Sequence, residues 1–273
     1  MPTMAVAPVV SLVTDFGLRD EFAGVVEGVI VRTAPDVRVI HVTHGIEPTN
    51  VLAGSLTLAS AVPYLPLGVH LGVVDPGVGS QRRALVLETA EGALLVGPDN
   101  GLLVPAAEAL GGIERARVIT AEELFLQPVS ATFHGRDIFA PVAARLAGGL
   151  APERVGPELD PADLVRLEVP PSEARDGVLT ARVLVVDRFG NVALSARPDD
   201  LTGIGVDLGG EVELTAGEGR FLARRARTFG DVRVGDMVVY DDASGWVGVA
   251  VNGSSLAAAC GIVPGDVVAL EAR

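Results

Sequence analysis

The sequence predicts an α/β fold: an N-terminal three-layer α/β/α sandwich with a largely parallel sheet, followed by a smaller all-β, barrel-like C-terminal domain. Three observations lead there. Alanine, valine, glycine and leucine dominate while aromatic residues make up only 4%, a composition that suits close packing of helices on a sheet. Up to about Leu150, short apolar runs alternate with amphipathic stretches of helical length, the rhythm of strand and helix in turn. Beyond that point the chain breaks into short apolar runs punctuated by Gly and Asp, the texture of a meandering β-domain.

In order along the chain, Val9–Thr14, Arg38–Thr43, Val69–Val74, Ala84–Glu88 and Ala93–Gly97 read as buried strands, each rich in Val, Leu or Ile and bounded by Gly, Pro, Asp or Asn. Between the first three, residues Asp20–Arg32 and Asn50–Ala61 have helical periodicity, with Asp20 and Asn50 as the expected N-caps. A helix over Arg136–Ala147 closes this half, and Gly148-Gly149 is placed to supply its left-handed stop. Pro152, Pro157, Pro161, Pro170 and Pro171 among many charges mark a surface linker. Strands are then expected at Val178–Val186, Gly205–Leu208, Glu211–Leu214, Met237–Tyr240, Trp246–Ala250 and Val267–Glu271, with one brief helix at Ser254–Cys260. The expected organisation is an α/β domain over residues 1–150, a linker over 151–176 and a β-domain over 177–273.

The chain has 273 residues, 49% of them apolar, enough to bury a substantial core. Its one cysteine, Cys260, forms no intrachain disulfide and has no histidine near it in sequence. No apolar run spans a bilayer, because Asp15, Arg19, Asp20 and Glu27 interrupt the N-terminal region, and Met1–Ser11 lacks the features of a secretion signal. The cytoplasm is the expected compartment. The net charge is −14 and every basic residue is arginine. Such a surface repels phosphate backbones, so nucleic acid is a poor partner, whereas a cationic small molecule is favoured.

Four clusters place ionisable or amide groups beside glycine at the ends of apolar runs, the sheet edge where α/β proteins bind ligands. In Thr14-Asp15-Phe16-Gly17, followed by Asp20, a carboxylate leaving a buried strand either caps the next helix or accepts hydrogen bonds from a vicinal diol such as ribose. Asp20 is the better cap, which leaves Asp15 free. Asp75-Pro76-Gly77-Val78-Gly79-Ser80-Gln81-Arg82 is a compact turn that either binds an anion on its N–H groups or brings Asp75 and Arg82 into contact. In Thr132-Phe133-His134-Gly135-Arg136-Asp137, Thr132 or Asp137 can cap the following helix, while His134 is approachable and titrates near neutral pH. Asp187-Arg188-Phe189-Gly190-Asn191 reads as a hairpin turn, and alternatively as an amide, Asn191, offering donor and acceptor to an adenine edge. His41, His44 and His70 lie in or beside strands as packed or capping residues. No zinc, calcium or phosphate-loop spacing occurs, so no metal is indicated.

In this order the clusters resemble the SAM hydroxide adenosyltransferases, SAM being S-adenosyl-L-methionine, the hydrolase branch of the family that includes the fluorinase and chlorinase. The resemblance runs through TDFG, VTHGIEP at Val42–Pro48, VDPGVGSQRR, GPDNGLL at Gly97–Leu103, FHGRDIFAP, VDRFGN and AVNGSSLA at Ala250–Ala257. It implies hydrolysis of SAM to adenosine and L-methionine without a further cofactor, by a homotrimer whose active sites lie between subunits. It also implies that Asp75, Arg82 and His134 hold the attacking water, that Asp15 grips the ribose hydroxyls and that Asn191 reads adenine. Asp20, Asp187 and Ser244 are implied at the methionine end, with Phe133, Val251 and Gly253 as further substrate contacts. The halogenating relatives have tyrosine or another residue at the Asp75 position, and the fluorinase has serine at the Gly135 position and an inserted loop missing here. The chemistry suits these residues: methionine leaves as a neutral thioether and needs no general acid, so the demand falls on the water, whose proton Asp75 or His134 can take. Two rivals remain, a chlorinase-like halogenase and a non-catalytic SAM- or nucleoside-binding module.

Overall fold

The structure, a computed structural model, describes residues 8–273; the first seven, part of the stretch weighed as a secretion signal, lie outside the described residues. The chain divides into two compact units, Met1–Leu167 and Glu168–Arg273.

The first unit contains strands β1 (Val9–Thr14), β2 (Arg38–Thr43), β3 (Val69–Val73), β4 (Ala84–Thr89), β5 (Leu94–Pro98), β6 (Ile113–Val118) and β7 (Glu158–Leu159). Its helices are α1 (Phe22–Thr33), α2 (Val51–Ala61), α3 (Val104–Ala109) and α4 (Ala140–Ala147). The strands form one mixed sheet in the order β2-β1-β3-β5-β4-β6-β7. Pairing is parallel from β2 through β5 and antiparallel from β5 to β7. Helices α1 and α4 pack together, as do α2 and α3, giving the expected three layers. Beneath α1 and α4 the core is Val10, Leu12, Val26, Ile30, Leu71, Phe139 and Val142, all but shut off from solvent.

The alternation of strand direction positions the functional loops. Strands β2, β1, β3 and β5 run parallel, so the segments leaving Thr43, Thr14, Val73 and Pro98 emerge at one edge. Strand β4 runs the other way, with Ala84 opposite Pro98, so its entry segment, including Arg82, arrives at that same edge.

The second unit contains β8 (Glu173–Arg175), β9 (Val178–Val186), β10 (Val192–Leu194), β11 (Glu211–Ala216), β12 (Gly219–Arg225), β13 (Met237–Asp241), β14 (Val247–Val251) and β15 (Val267–Ala272), with helices α5 (Pro198–Gly203) and α6 (Leu256–Cys260). Pairing of β10 with both β9 and β14 closes seven strands into a barrel in the order β9-β10-β14-β13-β12-β11-β15, with β8 added outside on β9. Its interior is apolar and includes Leu179, Leu194, Leu214, Val239, Val249 and Leu270.

Several elements depart from expectation. Helix α1 begins at Phe22 behind Glu21, which makes no side-chain cap, so Asp20 is not the cap; Asn50 is one, accepting the Ala53 N–H at 3.0 Å. Residues 151–167, expected as linker, belong to the first unit, where β7 pairs with β6, and residues 173–175 form β8. Gly205–Leu208 is a turn rather than a strand: Gly205 and Gly209 hold φ of 83° and 90°, values outside the extended region. Strands β6, β10 and β12 and helices α3 and α5 were not expected.

The helix expected over Arg136–Ala147 is divided. Gly135–Phe139 is a π-helical turn, and regular α-helix starts only at Ala140. Pro141 explains the break, since it has no N–H for the Asp137 carbonyl. That carbonyl instead accepts the Leu126 N–H at 2.8 Å. At the other end Leu150 N–H bonds Arg145 O and Gly149 N–H bonds Leu146 O, with Gly149 left-handed, the Schellman stop expected of Gly148-Gly149.

Candidate active site

The carboxyl edge of the parallel strands carries a solvent-open cleft lined by Asp15, Phe16, Thr49, Asp75, Phe133 and His134, among others, with an empty volume of about 380 Å³. Three of the four clusters read from the sequence meet here.

Asp75 leaves β3 and is met by Arg82 on its way into β4. Arg82 Nε lies 3.0 Å from both Asp75 oxygens, and Arg82 Nη2 donates to Oδ2 at 2.5 Å. The two side chains are only 6% and 11% exposed. This is therefore not a surface ion pair, whose worth solvent would reduce to little. Removing one partner would strand a buried charge. The guanidinium also lies over the Phe139 ring, 5.1 Å from its centroid. The turn between them needs Gly79: its φ is 76°, and a Cβ would fall 2.3 Å from the Ala131 carbonyl oxygen. Backbone from the His134 loop thus abuts the Asp75 loop.

Arg82 continues to His134, with Nη2 2.9 Å from Nδ1. Guanidinium has donors and no acceptor, so Nδ1 accepts and the imidazole proton sits on Nε2. The His134 pKa is lowered from its ordinary value by burial and then by the Arg82 charge, against a raising influence from Asp75 and Asp137. The imidazole is neutral at neutral pH. Its loop is fixed by Asp137, fully buried, which accepts the Ser130 N–H at 2.8 Å and is gripped by Arg136. Asp137 therefore ties the loop down instead of capping the helix. Phe133 stacks edge-on against Phe16 and Phe22. A Cβ on Gly135 would lie 3.0 Å from Phe16 Cζ, so a side chain there would have to displace this aromatic packing by a few tenths of an ångström.

Asp15, expected to be free, accepts the Thr49 N–H on Oδ2 at 2.9 Å. Asp20 is exposed ahead of α1 and is not part of the cleft lining. Phe16 and Thr49 were not singled out from the sequence. Phe16 stood inside a recognised motif; Thr49 gave no signal, because its contribution is a backbone N–H.

In the second unit, Asp187 closes the β9–β10 hairpin. Its oxygens accept from the Phe189 and Asn191 N–H groups and from Asn191 Nδ2, at 2.8 to 2.9 Å. The hairpin reading of this cluster holds, and it fixes the Asn191 amide. Phe189, Asn191, Phe229, Val251 and Gly253 line a second cleft of about 940 Å³. Ser244 stands apart from that lining, exposed in the β13–β14 turn where its N–H donates to Asp242. Among the described residues no group of three His, Cys, Asp or Glu side chains is arranged to hold a metal, and no helix is long and apolar enough to cross a membrane.

Comparison with known proteins covers both units. Residues 10–156 match the profile described as SAM hydroxide adenosyltransferase N-terminal domain, and residues 181–269 match that of the C-terminal domain. A protein of Salinispora tropica named (R)-S-adenosyl-L-methionine hydrolase is 50% identical over 263 residues, 96% of this chain and 97% of the relative. A fluorinase of Actinopolyspora mzabensis is 28% identical, with 92% of each chain aligned. The crystal structure of an uncharacterized conserved protein from Thermotoga maritima superposes with a TM-score of 0.87 at 38% identity, covering 96% of this chain and 99% of that one.

Proposed function

Because the chain belongs to the SAM hydroxide adenosyltransferase family, we infer that it is a hydrolase of S-adenosyl-L-methionine, with Asp75, Arg82 and His134 as its catalytic residues. The relative named as a hydrolase stands much nearer in sequence than the fluorinase, which favours water over halide as nucleophile. The observation that carries the catalytic assignment is the bonded array of carboxylate, guanidinium and imidazole, whose two ends, Asp75 and His134, line one cleft.

In the proposed reaction a water oxygen attacks C5′ of the substrate in line with the departing sulfur. The C–O bond forms as the C5′–S bond breaks, and the bonding pair leaves on sulfur, which changes from sulfonium to neutral thioether. The products are adenosine, L-methionine and one proton. Arg82 occupies the Nδ1 lone pair of His134, so that nitrogen is not the base. Asp75 Oδ1 receives only the Arg82 Nε–H, whereas Oδ2 receives Nε–H and Nη2–H. Oδ1 therefore has the spare acceptor capacity and takes the proton. A carboxylate is a weak base toward free water, but the attacking water becomes strongly acidic as its oxygen bonds to carbon, so the transfer accompanies bond formation. His134 Nε2–H is left as a donor to orient the water, and Asp15 orients the sugar.

Turnover in ¹⁸O-labelled water, followed by mass spectrometry, tests the reading. Adenosine with one heavy 5′-oxygen is expected; intact SAM, or a halogenated nucleoside when chloride is added, overturns it. Asp75→Ala and His134→Ala are each expected to lower kcat/KM by about 10²–10⁴. Asp15 with Phe133, and Asn191 with Val251 and Gly253, line different clefts. Likeness to the family supports a homotrimer with active sites shared between subunits, and sedimentation equilibrium would give the mass of three 28.1 kDa chains. A single free cysteine suits the reducing cytoplasm.

A further inference from the structure

We propose that His44 is a positioning residue for the Asp15 turn, acting with Thr49 as a two-point clamp on the group that holds the substrate's ribose. The inference rests on the SAM reading in that it takes Asp15 to bind the ribose; the clamp itself is a matter of geometry.

Strands β1 and β2 are parallel neighbours, so the segments leaving them, Asp15–Gly17 and His44–Thr49, run side by side at the cleft. Three contacts join them. His44 Nδ1 lies 2.8 Å from Thr14 Oγ1, Gly17 N–H donates to the His44 carbonyl at 2.7 Å, and Thr49 N–H donates to Asp15 Oδ2 at 2.9 Å. The side chain of His44 thus holds the residue before Asp15, its backbone holds the second residue after it, and Thr49 holds the carboxylate itself.

The hydrogen-bond order shows how His44 is held in turn. The Glu27 carboxylate can only accept, so His41 carries its ring proton on Nε2, its Nδ1 accepts from His44, and His44 Nδ1 in turn accepts the Thr14 hydroxyl proton, while Thr14 Oγ1 accepts the Phe16 N–H at 3.2 Å. The His44 ring proton then sits on Nε2 and donates to His41 Nδ1 at 2.7 Å, and His41 Nε2 faces Glu27 at 3.3 Å. Every donor in this series meets an acceptor. It requires neutral His44, in keeping with a pKa lowered by burial and by His41, against an opposing influence from Glu27. The series starts on the half-exposed Glu27 carboxylate and ends on an amide N–H, which passes no proton onward. It is a brace and not a proton channel.

Thr49 adds a second sign. Its φ of 67° lies in the left-handed region, which a β-branched residue rarely adopts. The conformation aims its N–H at Asp15 while Asn50, the next residue, caps α2. Strain of this kind persists where surrounding structure enforces it and clusters at functional sites.

The test is the preference of the intact protein for adenosine over 2′,3′-dideoxyadenosine, measured by calorimetry. A residue that only supports the fold would weaken both nucleosides alike; a clamp on the ribose-binding group changes the ratio. The His44→Ala variant is expected to lower the preference about tenfold, the scale of one well-placed hydrogen bond. His44→Asn, whose amide oxygen can take the Thr14 hydroxyl proton, is expected to restore much of it. Should His44→Ala fail to fold, the near-isosteric Thr14→Val carries the same expectation. A folded variant with the wild-type preference overturns the clamp. If the wild-type protein shows no preference, or Asp15→Ala keeps it, the ribose role of Asp15 fails instead, and the clamp loses its function with it.

Discussion

The 2.9 Å contact between Arg82 and His134 sets the direction of the pH response. Protonating the imidazole puts a proton on Nδ1, facing the Arg82 N–H, and the contact is lost. Activity should therefore fall as pH falls, with its midpoint below the ordinary histidine value of 6.5 because burial and Arg82 both lower the His134 pKa. A pH profile of kcat/KM would show it, and His134→Ala should lack that acid limb. Thr49 makes a second prediction at this scale. In Thr49→Gly the left-handed backbone becomes unstrained, so stability to urea should rise by about 1 kcal/mol. Nucleoside binding should weaken at the same time, because the N–H facing Asp15 loses its fixed direction.

At the scale of elements, β1 and β3 are joined inside the sheet by a polar pair: Ser11 and His70 face each other in register, with Oγ and Nδ1 2.8 Å apart. Burial lowers the His70 pKa to about 4. An unfolded chain protonates this histidine below about pH 6.5, whereas the folded chain resists until about pH 4. Stability is thus complete above the unfolded value and lost as pH falls across that window, by on the order of 3 kcal/mol. Urea unfolding at pH 7 and pH 4.5 should show the loss, and it should be absent in a Ser11→Ala, His70→Leu double variant. Elements that the sequence made legible were those with uninterrupted periodicity, such as β1, β3, α1 and α2. Strand β6 escaped because its sequence is laced with charge, and one of those charges, Arg117, is buried against Glu88. Strand β12 escaped for the same reason, since Arg225 lies buried on the Val206 carbonyl. The catalytic candidates were legible because each stood in a short glycine-containing loop rich in ionisable groups, Asp75 and Arg82 at the two ends of the β3–β4 connection and His134 just ahead of a helix. The clamp was not, because it consists of backbone groups and histidines that resemble ordinary packing residues until the pairing of β1 with β2 is known.

For the whole molecule, a net charge of −14 bears on substrate capture. SAM carries sulfonium and ammonium charges against one carboxylate, so an acidic field accelerates its encounter. Raising NaCl from 50 to 500 mM (about tenfold) should lower kcat/KM several-fold while leaving kcat nearly constant, as steady-state kinetics would show. The C-terminal unit has a consequence of a different kind. Its ring is completed by β15, which lies between β9 and β11 although it follows both in sequence. During synthesis β9 and β11 leave the ribosome well before their shared partner. Until residues 267–272 clear the exit tunnel, each keeps a row of unsatisfied amides along one side, a template for a neighbouring nascent chain.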